Sequence, residues 1–117
     1  MSQDVESIYE EYLSKLKQVM PNVDPNFVHR VMYVERELGE YNIHEPFVSA
    51  IIEYKPGVDL DIKVNGLREK YSLEVEHGDK HNTLHVESRM TIDKIKGISA
   101  DSDIVRISGK SDVRLGE

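Results

Sequence analysis

Residues 58–73 read VDLDIKVNGLREKYSL, and the fold class turns on them. Val58, Leu60, Ile62 and Val64 alternate with Asp59, Asp61 and Lys63, the period of a strand with one buried face. Asn65-Gly66 then supplies the dipeptide favoured in type I′ hairpin turns, because both of its residues tolerate positive φ. The reading is a β-hairpin with Val64 opposite Leu67, Ile62 opposite Glu69, Leu60 opposite Tyr71 and Val58 opposite Leu73. In this register the apolar residues share one side and only Glu69 is out of place.

Downstream, Thr83 to Ile92 continues the strand period, with Leu84, Val86, Met90 and Ile92 on one side and His85, Glu87, Arg89 and Thr91 on the other. Val75 is expected to face Leu84 across the intervening loop, Gly78 to His81. Lys94 to Asp103 reads as irregular, and Ile104 to Ser108 as a short strand. Upstream, residues 47–54 fit a buried strand better than a helix, and Pro56-Gly57 ends the element under either reading.

The first part of the chain is helical. Val5, Ile8, Tyr9, Tyr12, Leu13, Leu16, Val19 and Met20 recur at helical spacing until Pro21 stops them. Leu13 and Leu16 are expected to bury against the inner sheet face. Asp24-Pro25 reads as an N-cap followed by proline at the first helical position, opening a second helix that ends at Gly39. Its β-branched Val28, Val31 and Val34 make a strand the rival reading. Together these elements predict a two-layer α+β fold, an antiparallel sheet of four or five strands with two N-terminal helices packed on one face. At 117 residues, one domain spanning 1–117 is expected.

Composition narrows the function classes. With 38% hydrophobic and 32% charged residues the chain is rich enough in apolar side chains to build a core. It has no cysteine, which removes disulfides, thiolate nucleophiles and Cys-type metal sites. The net charge of −7 repels phosphate on average, so unspecific binding to nucleic acid or anionic lipid is disfavoured. No apolar run is long enough for a membrane span and the N-terminus is acidic, so the expected location is cytoplasmic.

Several motifs fail on spacing. Gly109-Lys110-Ser111 resembles the end of a phosphate-binding loop, but that loop needs a glycine at position 104, which is Ile, and a helix afterwards. Asp59 and Asp61, like Asp101 and Asp103, lack the third oxygen ligand and distal Glu of a calcium loop, although Asp101 and Asp103 retain the outline of a weak cation site. His77, His81 and His85 have the residue types of a zinc site. Strand parity turns His77 inward and His85 outward, however, and two ligands on opposite sides of a sheet cannot share one ion. No cofactor or catalytic motif is present, so a non-enzymatic reading is preferred.

The hairpin register leaves one candidate surface. It sets Lys63 opposite Arg68, Asp61 opposite Lys70, and Lys70 opposite Arg89, gathering four bases on the outward side of an acidic chain. A solvated sheet face explains them as well. The functional expectation is a small interaction module that contacts a protein partner through Lys63, Arg68, Lys70 and Arg89 or through the acidic first helix. The alternatives are an RNA- or phosphate-ligand-binding protein using that patch, or a metal-binding protein using His77, His81 and His85. Nucleic acid is the weaker case, since no aromatic platform is expected on the outward face.

Overall fold

The computed structural model describes residues 4–41 and 45–113. Its elements run α1 (Val5–Val19), α2 (Pro25–Gly39), β1 (Phe47–Tyr54), α3 (Leu60–Tyr71), β2 (Val75–His77), β3 (Thr83–Arg89), α4 (Ile92–Ser99) and β4 (Ile104–Asp112). The architecture is α+β, with a four-stranded antiparallel sheet of order β2-β3-β1-β4. From β1 onward the order β-α-β-β-α-β is a split βαβ arrangement, in which β3 lies between β1 and β2, and β1 between β3 and β4.

The segment 58–73 is not a hairpin but helix α3. Leu60, Val64, Leu67 and Tyr71 also recur at helical spacing, and the helix buries Val64 and Leu67 while half-burying Leu60 and Tyr71. Ile62 and Glu69, mismatched in the hairpin register, are seven residues apart on the outer face of the helix, where Ile62 is 66% exposed. The ends are well capped. The Asp59 carboxylate accepts from the amides of Asp61 and Ile62, Ser72 closes the helix in the left-handed region at φ 56°, and Arg68 and Lys70 occupy the last turn. Two periodicities overlap in one segment, and the cap and charge placement agree with the helix.

The strand expected to run to Ile92 ends at Arg89, and the first part of the stretch expected to be irregular, Lys94 to Ser99, belongs to helix α4. Thr91 is not a strand residue but the N-cap of α4, its Oγ1 accepting from the Lys94 amide, and Ile95 and Ile98 are buried beneath it. The Glu35 carboxylate, reaching over from α2, accepts from the Ile92 amide at 3.1 Å and satisfies another donor of the same helix end.

The inner sheet face carries Val48, Ala50, Ile52 and Tyr54 of β1, Leu84 and Val86 of β3, Val75 of β2 and Ile107 of β4, all buried. Phe27, Val28 and Val31 of α2, Val64 and Leu67 of α3, and Ile95 and Ile98 of α4 complete this core. Helix α2 packs along β4 and beside α4, while α3 packs on β2 and β3. Helix α1 packs chiefly on α2, so it forms an outer layer, and none of its residues is fully buried. Leu16 is half-buried against the core and Leu13 is half-buried, rather than both lying on the sheet as expected.

The turn between α1 and α2 clips the β4 edge. The Ile107 amide donates to the Asn22 carbonyl at 2.8 Å and the Asp24 amide to the Ile107 carbonyl at 2.9 Å, forming a parallel bridge at Val23. Among the described residues no helix is long and apolar enough to cross a membrane.

Candidate interaction surface on the open sheet face

Strand alternation sends every second side chain to the face that α2, α3 and α4 leave uncovered. From β1 these are Phe47, Ser49, Ile51 and Glu53, from β3 Thr83, His85, Glu87 and Arg89, from β4 Arg106, Ser108, Lys110 and Asp112, and from β2 Glu76. Ile51 is 50% exposed at its centre, and Phe47 is half-buried toward one end.

Cross-strand pairing organises the face. Ile51 is opposite His85 on one side and Ser108 on the other, and Ser49 is opposite Glu87 and Lys110. Ser49 Oγ and His85 Nε2 share a hydrogen bond at 3.1 Å, while His85 Nδ1 lies 3.9 Å from Glu87 Oε1. The sequence of contacts is that of a nucleophile, a base and an orienting acid. Ser49, however, belongs to a central strand laddered on both sides, so its neighbourhood offers no free pair of amide donors for an oxyanion. The contact is read as a cross-strand hydrogen bond that fixes His85.

Two shallow clefts flank His85. One, of about 460 Å³, runs past the β2 edge between Phe47, Arg68, Glu74 and Glu87. The other, of about 610 Å³, lies toward the β2–β3 turn between Ile51, Glu53, Lys80 and Arg106.

The four bases of the hairpin register are distributed otherwise than the sequence suggests. Lys63 and Lys70, seven residues apart in α3, line a slot between α3 and α4 on the helical side of the molecule. Arg68 lies on the opposite flank of α3, its guanidinium donating to the Val75 carbonyl at 2.8 Å. Arg89 alone belongs to the open sheet face, and it donates to the Glu45 carbonyl at 2.9 Å. The cross-strand pairs Lys63–Arg68, Asp61–Lys70 and Lys70–Arg89 therefore do not exist.

The other motifs find structural roles. Asp101 and Asp103 hold the Lys63 ammonium at 2.8 and 2.9 Å, so the cation between them is a side chain of the protein. His77 meets Asp61 at 3.1 Å and His85 meets Ser49, on the two sides of the sheet that parity required; Val75 pairs with Val86, two residues from the expected Leu84. Among the described residues no group of three His, Asp or Glu side chains converges on a point that could hold a metal. Gly109 is needed because a Cβ there would run into the Ser49 carbonyl and the Ala50 backbone of β1, and Ser111 is buried, donating to the Phe47 carbonyl.

Compared with known proteins, the chain matches no family model, no curated protein and no solved structure. Sequence reasoning reached the outward set His85, Glu87 and Arg89 but missed Phe47 and Ile51 as outward residues. Their signal was the alternation Val48, Ala50, Ile52, Tyr54, which fixes the opposite parity for Phe47 and Ile51.

Proposed function

We propose that this protein is a cytoplasmic, non-enzymatic interaction module that contacts a protein partner through the open face of its sheet. The observation that carries the reading is the one-sidedness of the fold: three helices cover one sheet face and leave the other with Ile51 half-exposed among charged side chains. A half-exposed aliphatic centre inside a polar rim has the anatomy of a transient protein interface. RNA is disfavoured as the partner, because among the described residues acids outnumber Lys and Arg on this face and Phe47 is its single Phe, Tyr or Trp, where sheet-based RNA readers present several stacking rings.

The test is affinity capture from native lysate with wild type, Ile51→Glu and Lys70→Glu. Ile51→Glu places a charge at the centre of the face without uncovering the core, so it removes the captured partner while the melting temperature stays within about 2 °C of wild type, as expected for a surface change. Lys70→Glu, on the helical side, retains capture. Equal capture by Ile51→Glu and wild type overturns the assignment of the face.

A further inference from the structure

On the helical side, α4 packs beside α2 and α3 packs on β2 and β3, which leaves a slot of about 470 Å³ between α3 and α4. Its floor is Tyr54 and Ile104, and its walls are Gly66 and Leu67 from α3 and Gly97 and Ile98 from α4. The two glycines act differently. A Cβ at Gly66 meets no atom within 4 Å, so this wall is open to the slot, whereas one at Gly97 would lie 3.0 Å from the Tyr71 hydroxyl.

Tyr54 carries the inference. It is 2% exposed, at the end of the central strand, and its hydroxyl has no hydrogen-bond partner among the described residues. Among the described residues no fully inaccessible side-chain N or O atom lacks a partner, so the Tyr54 hydroxyl keeps some solvent access, and its residue lines the slot. A nearly buried phenol that makes no hydrogen bond within the protein has a donor available to a molecule entering the slot. Burial, reinforced by the nearby Asp101 carboxylate, pushes its pKa up to about 12, so the donor proton is retained throughout the physiological range. Of the charged groups at the slot, Lys63 is held by Asp101 and Asp103, and Lys70 lies over the Tyr71 ring with its ammonium 5.5 Å from the centroid.

We propose that the slot between α3 and α4 binds a small, uncharged, largely apolar ring-sized molecule whose carbonyl-type oxygen accepts a hydrogen bond from Tyr54. The volume lies in the range of small-molecule sites, and the lining combines apolar walls with one fixed polar group, as such sites do. This site is separate from the open sheet face and does not depend on it.

The probes are benzamide and cyclohexanone, titrated into the full chain and followed by amide NMR shifts. Both give saturable shifts centred on Gly66, Gly97 and Ile98, with affinities in the millimolar range expected for fragments of this size. Toluene, which lacks the acceptor, binds more weakly than benzamide. Tyr54→Phe keeps the slot but removes the donor, and weakens benzamide by about 5- to 10-fold, the value of one hydrogen bond. Gly66→Leu fills the slot from its open wall and abolishes binding, with an unchanged fold as judged by the β1 and β3 amide shifts. The proposal is overturned if neither carbonyl probe gives saturable shifts at the slot, if the shifts centre on Ile51 and His85 instead, or if Tyr54→Phe binds benzamide as tightly as wild type.

Discussion

Gly66 shows how one residue separates two folds. In a type I′ turn it would need positive φ, and alanine there would be strained. In α3 it sits mid-helix with open space where a Cβ would go, and glycine in a helix interior costs about 0.5–1 kcal/mol relative to alanine. Gly66→Ala is therefore expected to stabilise the protein by about 0.5–1 kcal/mol in urea unfolding; a loss of stability would favour the turn. Asn65 and Gly66 are both poor helix formers, so the sequence signal pointed to a turn and tertiary burial of Val64 and Leu67 overrode it. Legibility at this scale depended on whether one period or two fitted the residues. The stripe of α2, from Phe27 to Leu38, was read correctly as a helix over its strand rival, and the alternation of β3 was read correctly from Thr83 to Arg89. Thr91 lay at the junction of two templates, the strand before it and a helix of only eight residues after it, and was assigned to the wrong one.

Among the elements, α1 was the clearest in the sequence and is the least embedded in the structure. Its stripe is held by α2 through a small aromatic cluster: Tyr12 and His29 stack edge-on with ring centres 5.4 Å apart, and the Tyr9 hydroxyl donates to the Asn26 side chain at 3.2 Å. Val5 is 82% exposed and Val19 58% exposed, so much of the apolar surface stays in water. Periodicity reports that a helix is amphipathic, not how much of the stripe a neighbour covers. Leu16 touches the core but is only half-buried, so Leu16→Ala should cost about 1 kcal/mol rather than the 2–5 kcal/mol of a fully buried leucine. Hydrogen exchange checks the same point: the α1 amides should exchange through local opening, well ahead of those in β1, which is laddered on both sides. Protection of α1 equal to that of β1 would mean a tighter association with α2 than its contacts imply. The candidate face followed the same logic, since parity along β3 placed His85, Glu87 and Arg89 outward, while Lys63, Arg68 and Lys70 were set by a strand register that does not form.

For the whole molecule, the split arrangement means that residues distant in sequence must close the structure, and Lys63 is one such closure. From α3 it reaches Asp101 and Asp103 in the α4–β4 connection, and its ammonium lies 5.8 Å from the ring centre of Tyr54 in β1, so three parts of the chain meet at one charge. No local pattern could reveal it, because Lys63 and Asp101 are thirty-eight residues apart and the two aspartates alone resembled a cation site. The pH dependence follows from the group shifts. Partial burial works to raise the Asp101 pKa, but hydrogen bonds from Lys63 and the Asp103 amide more than offset it, leaving the carboxyl below its ordinary value of 3.8. A depressed acid stabilises the fold above its unfolded pKa, and that contribution is lost as pH falls through the folded value. The Lys63 pKa is raised, chiefly by its hydrogen bonds to Asp101 and Asp103, so its contribution is complete below the ordinary 10.5 and is lost as pH rises through the folded value. Lys63→Met leaves two carboxylates facing each other without a cation, and with both partly exposed the expected cost is about 1 kcal/mol at neutral pH. Unfolding free energies of wild type and Lys63→Met, measured across pH, should differ by a constant amount between about pH 5 and 9, and the difference should shrink below about pH 4 and again above about pH 10. A difference that does not change with pH would show that Lys63 contributes through its aliphatic stem over Tyr54 and not through its charge.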